Sequence, residues 1–115
     1  MNNTQRNHLK RAVEIARQST CRFQHGVVIA VGPRVLAVAV NTHRNYGDVC
    51  ADPLSEMSFH AEHNALKQLA GRDLRRAVLY SARVSASGKE SLAKPCPACQ
   101  ELIKASGIRT VYFTR

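Results

Sequence analysis

The 115-residue sequence contains no tryptophan, and its aromatic residues amount to only 5%. This composition disfavours a protein that binds single-stranded nucleic acid by stacking the bases on aromatic side chains. No apolar run approaches the roughly 20 residues that a membrane-spanning helix needs. The polar N-terminal residues 1–6 are not followed by an apolar signal region. We therefore expect a cytoplasmic protein with no membrane partner.

Acidic residues are also scarce, since eight Asp and Glu stand against 17 Lys and Arg, a formal net charge of +9. Such a charge favours an anionic partner, either the phosphate of a nucleotide or the backbone of single-stranded DNA or RNA. The alternative is a basic surface that is merely solvated. The length predicts a single domain over residues 1–115.

Only four cysteines are present, and two of them lie in the sequence Pro-Cys-Pro-Ala-Cys at positions 95–99. An earlier segment reads His-Ala-Glu at positions 60–62. Imidazole nitrogen and thiolate sulfur are donors that zinc prefers, and a catalytic zinc site keeps three protein ligands. We therefore predict a Zn²⁺ site formed by His60, Cys96 and Cys99. We expect the other two cysteines, Cys21 and Cys50, to be reduced thiols.

Glu62 favours a catalytic over a structural zinc site, because a structural site is closed by a fourth Cys or His ligand. Zinc lowers the pKa of a bound water towards about 7, and a carboxylate beside it can move protons. This combination suits the hydrolytic deamination of an amino-substituted heterocycle. An H-x-E motif followed by P-C-x-x-C is the signature of zinc nucleobase deaminases.

Together with the segment 107–112, these motifs resemble the cytidine and deoxycytidylate deaminase superfamily. That superfamily includes tRNA adenosine deaminases and polynucleotide cytosine deaminases. The resemblance extends from about Val27 to the end of the chain. It implies that the three predicted ligands hold zinc and that Glu62 is the proton shuttle. It also implies that the amide of Ala61 contacts the base carbonyl and that Asn41 contacts the sugar.

A histidine as the first zinc ligand resembles the deoxycytidylate branch. We therefore predict a zinc-dependent deaminase that converts a cytosine nucleoside or nucleotide to the uracil product and releases ammonia. One alternative is a deaminase of cytosine or adenine within single-stranded DNA or RNA. Another is a non-enzymatic zinc or nucleic-acid-binding module. A redox role for the Cys-x-x-Cys pair is disfavoured, because it leaves His60 and Glu62 without a purpose.

Hydrophobic periodicity and turn signals predict the order helix, strand, strand, helix, strand, helix, strand. The first helix is capped by Asn3 or Thr4 and runs to about Ser19, and the others cover 60–70 and 95–106. The strands cover 22–31, 34–41, 77–84 and 109–114. Such an order predicts an α/β fold with a mixed central sheet of four strands. The resemblance implies the three-layer α/β/α arrangement of a cytidine-deaminase-like fold.

Two further expectations concern the edges of the predicted site and sheet. The polar segment 42–57 is long for a compact domain, so we expect it to wall the substrate pocket. Within it, Arg44 and Tyr46 are candidate contacts for the phosphate and the base. Family members usually continue beyond the position of Arg115 with a fifth strand. The last strand should then lie near an open edge, and we expect a homo-oligomer or a covered edge.

Overall fold

The structure, a computed structural model, describes residues 1–43 and 58–115. Within these ranges the chain forms three helices and seven strands. The helices are α1 (Asn3–Ala16), α2 (Ala61–Gln68) and α3 (Pro97–Ser106). The strands are β1 (Gln24–Val31), β2 (Arg34–Val40), β3 (Thr42–His43), β4 (Ser58–Phe59), β5 (Val78–Val84), β6 (Glu90–Ser91) and β7 (Thr110–Phe113).

The main sheet is mixed and has five strands, with β5 at its centre. On one side β5 pairs antiparallel with β1, which in turn pairs antiparallel with β2. On the other side it pairs in parallel with β7 and, near its end, antiparallel with β6. The separate β3–β4 pair is antiparallel. The mixed sheet is confirmed, whereas the predicted number of four strands is wrong because a turn after β5 lets residues 90–91 fold back as β6.

Alternate residues of the central strands face opposite layers. Val27 and Ile29 pack in one apolar cluster with residues of α2 and α3. Val28 and Ala30 pack in a second cluster with the buried face of α1. Since strand side chains alternate between the two faces of a sheet, each face of β1 is covered by a different layer. The predicted three-layer α/β/α arrangement is confirmed.

The helix ends differ from the predicted ones by a few residues. The first helix begins after Asn2, whose side chain accepts a hydrogen bond from the Gln5 amide at 2.8 Å and completes a capping box. The N-cap is therefore neither Asn3 nor Thr4. In the third helix Cys96 is the N-cap and Pro97 occupies the first turn, so the helix begins two residues after Pro95. Proline suits this turn because no backbone donor is needed there.

Thr114, just after β7, ties several segments together. Its amide donates to the carbonyl of Ser81 at 3.0 Å, and its own carbonyl accepts from the amide of Ala93 at 2.9 Å. Its hydroxyl accepts from the Arg83 amide at 3.1 Å and donates to the Ser91 carbonyl at 2.6 Å. Four hydrogen bonds from one residue thus join β7, β5 and the segment that leads into Cys96.

Three remaining expectations have separate outcomes. Cys21 is disulfide-bonded, so the expectation of a reduced thiol is wrong for this residue. Composition alone does not show which sulfur atoms lie within bonding distance in the folded chain. Cys50 lies outside the described residues.

Among residues 1–43 and 58–115, β7 pairs only with β5, and the homo-oligomer stays a prediction. No helix in the described part of the chain is long and apolar enough to cross a membrane.

Candidate active site

The three predicted zinc ligands meet where α2 and α3 begin. His60 is the N-cap residue of α2, Cys96 is the N-cap residue of α3, and Cys99 lies in the first turn of α3. The Nδ1 atom of His60 lies 3.2 Å from Sγ of Cys99 and 3.5 Å from Sγ of Cys96. All three ligand atoms lie within 4.8 Å of one another. The structure therefore brings together residues that are 39 positions apart in the chain.

This arrangement fits a zinc ion. At the usual zinc–nitrogen and zinc–sulfur bond lengths, neighbouring donors of a tetrahedral site lie about 3.6 Å apart. Both cysteines are free thiols at the N-terminus of α3. Burial raises the pKa of the Cys99 thiol, and the nearby Glu62 and Cys96 add to the effect. Zinc binding should therefore release protons from the metal-free protein.

Glu62 lies in the first turn of α2, beside the ligand cluster, and only 1% of its side chain is exposed. Its Oε1 atom has no hydrogen-bond partner among the described residues. Burial raises the pKa of this carboxyl group, and the opposing effects of His60 and Arg83 are smaller. A buried carboxyl with a raised pKa and an unused oxygen is suited to proton transfer.

A cavity of about 70 Å³ joins Glu62 to two of the zinc ligands. Its lining comprises His25, His60, Glu62, Arg83, Ala93, Lys94 and Cys96. A larger groove of about 790 Å³ lies between α3 and β7. Among the described residues that line that groove there is no His, Cys, Asp or Glu, so they offer neither a metal ligand nor a carboxylate or imidazole base. The chemistry therefore belongs to the smaller cavity.

The predicted substrate contacts have different positions. Asn41 is buried after β2, where its Oδ1 accepts from the Ser19 hydroxyl at 2.8 Å and the His25 amide at 3.0 Å. Its Nδ2 donates to the Phe23 carbonyl at 2.6 Å. Asn41 thus fixes the start of β1, and its contact with a sugar stays a prediction.

The other predicted contacts remain untested. Ala61 is fully buried as the first residue of α2, next to the cavity residues His60 and Glu62, and its contact with the base carbonyl stays a prediction. Arg44 and Tyr46 lie outside the described residues. The prediction that segment 42–57 walls the pocket falls largely outside them as well.

His25 and Arg83 line the cavity but were missed in the sequence. They face each other as paired residues of β1 and β5. The pKa of His25 is lowered to about 3, mainly by burial and further by the neighbouring Arg83 and His60. The available signal was a histidine at the start of an otherwise apolar strand, on the same face as Val27 and Ile29.

Comparisons with known proteins agree with this geometry. The family profile described as the cytidine and deoxycytidylate deaminase zinc-binding region matches residues 2–115. The dCMP deaminase of cyanophage S-TIM5 in its apo form has a TM-score of 0.77 at 24% identity, covering 98% of this chain and 84% of that one. The same phage enzyme in complex with dCMP and dUMP gives 0.76 at 22% identity, covering 98% and 82%.

A more distant structural neighbour is the cytidine deaminase of Mycobacterium leprae. Its TM-score is 0.60 at 22% identity, with 95% of this chain and 89% of that one covered. Among proteins of curated function, none matches by sequence. The solved structures confirm the cytidine-deaminase-like fold.

Proposed function

The chain belongs to the cytidine and deoxycytidylate deaminase family, which makes it a zinc-dependent hydrolytic deaminase, and we propose that its substrate is a cytosine nucleotide. One observation carries the proposal: His60, Cys96 and Cys99 converge beside the buried carboxyl of Glu62. The proposed reaction converts the cytosine base of a deoxycytidylate-like monomer to uracil and releases ammonia.

The proposed role of each residue follows from its position. His60, Cys96 and Cys99 would hold zinc, which supplies a Lewis acid that lowers the pKa of water. Glu62 takes a proton from the attacking water and passes it to the ring nitrogen next to C4 of the base. Glu62 then delivers the second water proton to the leaving amino group. The C4–N bond breaks, a C4=O bond forms and ammonia departs, so atoms and protons balance.

The position and charge of Arg83 favour an anionic substrate. It lines the cavity, and its buried Nε atom has no hydrogen-bond partner among the described residues. Lys94 lines the same cavity, so two cationic side chains lie at the site. A guanidinium group is well matched to phosphate. The complex of the phage dCMP deaminase with dCMP and dUMP supports a nucleoside monophosphate as substrate.

The test is a product assay by mass spectrometry. Zinc-loaded protein is offered cytidine, deoxycytidine, their 5′-monophosphates, adenosine, single-stranded DNA and tRNA. We expect a mass increase of about 1 Da, which marks replacement of NH₂ by OH, with the monophosphates. The proposal fails if the monophosphates are unchanged while the protein carries one zinc.

A matched pair of variants tests the role of Arg83. In Arg83→Gln we expect KM for the monophosphate to rise about tenfold or more, because one charge-assisted contact is lost. The KM for the unphosphorylated nucleoside should change little. Arg34→Gln removes an exposed arginine at the start of β2 and serves as the control. An equal rise for both substrates would remove Arg83 from phosphate recognition.

One observation favours a second candidate, deamination within a single-stranded polynucleotide. Phe23 is 37% exposed, and the guanidinium groups of Arg22 and Arg83 lie 5.7 Å and 5.9 Å from the centroid of its ring. Exposed aromatic and arginine side chains bind unpaired bases and phosphates. In this case Phe23→Ala should abolish turnover of single-stranded DNA or RNA. If monomers are the substrate, the same variant should leave their turnover within about twofold.

A further inference from the structure

A line of polar contacts leads from Glu62 into the centre of the sheet. The Oε1 atom of Glu62 lies 3.5 Å from Nδ1 of His25. On the other side of the ring, Nε2 of His25 lies 2.6 Å from the hydroxyl of Ser81. That hydroxyl lies 3.0 Å from the carbonyl of Ala93, three residues before Cys96. Contacts through the sheet therefore connect Glu62 to the segment that carries a zinc ligand.

The strand pairing fixes the positions of these side chains. His25 pairs with Arg83 across the β1–β5 ladder, and Val27 pairs with Ser81. Because alternate residues share a face, His25 and Ser81 both face the layer that contains α2. Ser81 is fully buried, and the side chain of His25 is 12% exposed. A one-residue slip of β1 against β5 would turn the side chain of His25 to the face opposite Ser81, so the ladder strongly specifies this contact.

The neighbouring hydrogen-bonding groups allow two tautomers of His25 but the same orientation of its imidazole ring. Ser81 has a single hydroxyl proton and two neighbours, Nε2 of His25 and the Ala93 carbonyl. If it donates to the carbonyl, it accepts from Nε2–H; if it donates to Nε2, the ring proton is on Nδ1. In both arrangements a ring nitrogen, rather than a C–H group, faces Oε1 of Glu62.

Apolar packing alone does not account for His25. The neighbouring positions on this face of β1 are occupied by Val27 and Ile29, which are fully buried hydrophobic side chains. Burying a polar ring costs free energy unless hydrogen bonds compensate for the lost water. Here the compensation comes from Ser81, and the second nitrogen faces a carboxyl oxygen that has no other partner among the described residues.

We propose that His25, held by Ser81, is a positioning residue that sets the orientation of the Glu62 carboxyl group for proton transfer. The inference rests on the proposed function, in which Glu62 is the proton shuttle. His25 contacts no atom of the substrate in this scheme. It acts by restricting the carboxyl group to one rotamer beside the zinc ligands, because positioned groups transfer protons far better than mobile ones.

Two substitutions at position 25 separate positioning from packing. The amide of Asn reaches the position of Nδ1, so His25→Asn keeps a polar atom beside Glu62. The amide of Gln reaches the position of Nε2, so His25→Gln keeps the Ser81 contact and loses the one to Glu62. We expect kcat to fall about tenfold or more in His25→Gln, with KM within about twofold, and to fall clearly less in His25→Asn. Equal losses in the two variants, or an unchanged kcat in His25→Gln, would overturn the proposal.

A second measurement does not depend on turnover. Long-range ¹H–¹⁵N spectra of the zinc-loaded protein report the ring nitrogens of His25. We expect the Nδ1 resonance to move when Glu62 is changed to Gln, and not when the exposed Glu101 is changed to Gln. No response to Glu62→Gln refutes the contact between the two side chains. If the wild type deaminates no substrate, the proposed function fails, and the spectra alone decide whether His25 positions Glu62.

Discussion

Gly26 on β1 lies against the backbone of Ala16 on α1. A Cβ atom at position 26 would stand 2.4 Å from the amide nitrogen of Ala16 and 2.5 Å from the carbonyl oxygen of Ala12. Backbone atoms on a packed helix cannot withdraw as the end of a flexible side chain can. The close approach of α1 to the sheet therefore requires glycine next to His25, on the face opposite the candidate site.

Gly26→Ala should destabilise the fold by about 3 kcal/mol, near the upper end of the range for overpacking. The free energy of unfolding in urea measures the effect. Gly32→Ala is the control, since its site is open and only its positive φ of 54° is unfavourable, at about 1–2 kcal/mol. A loss of stability in Gly26→Ala no larger than that in Gly32→Ala would show that α1 can move away from β1 at little cost.

Cys99→Ser should abolish stoichiometric zinc binding. Three ligands define the proposed site, and a serine hydroxyl is a much weaker donor to zinc than a thiolate. Elemental analysis of the purified protein should find one zinc per chain in the wild type and close to none in the variant. His63→Gln on the exposed side of α2 serves as the control and should keep its zinc. Full occupancy in Cys99→Ser would exclude this donor set.

Zinc should also raise the thermal stability of the wild type. A ligand that binds only the folded state stabilises it by about 2.7 kcal/mol at a concentration of 100 times Kd. We expect chelation to lower Tm in the wild type and to have little effect on Cys99→Ser. A Tm that does not respond to zinc in the wild type would contradict a site formed only in the folded protein.

Glu62→Gln should keep its zinc and lose deamination by a factor of about 10²–10⁴, the usual contribution of acid–base catalysis. The carboxyl group is not among the metal ligands, so zinc content and turnover should separate. The matched control is Glu101→Gln, which changes an exposed carboxyl on α3. Turnover near the wild-type level in Glu62→Gln would remove this residue from the mechanism.

The same variant has a pH-dependent effect on the stability of the metal-free protein. Burial raises the pKa of Glu62 in the folded state, so its contribution to stability is present below the unfolded value of 4.5 and is lost as pH rises through the folded value. Glu62→Gln should therefore raise Tm relative to the wild type more at pH 8 than at pH 4.5. Protonation of His25 changes the Tm of both proteins, so its effect largely cancels in the difference between their Tm values. A Tm difference independent of pH would contradict the raised pKa.

The metal ligands were predictable because each half of the motif is local. His60 with Glu62 and Cys96 with Cys99 form short patterns, and the helices that follow them are visible in the hydrophobic periodicity. The boundary errors are local as well. Cys96 is the N-cap instead of a residue within the helix, because Pro97 rather than Pro95 occupies the first turn.

The supporting residues were not predictable from local patterns. His25 meets Ser81 across 56 positions of sequence, and that contact depends on the register of β1 against β5. A sequence without an alignment shows strands but not which strands pair or in what register. The buried network of Asn41 was missed for the same reason, since its partners Ser19 and Phe23 belong to the connection between α1 and β1.

Thr114 links the position of the cysteine ligands to the end of the sheet. The segment around Ala93, which precedes the two cysteine ligands, is held by hydrogen bonds to a residue that follows β7. Thr114 is held in place by the parallel pairing of β7 with β5, which the intervening α3 crossover connects. The placement of the sulfur donors thus depends on strand pairing completed by residues that lie after them in the chain.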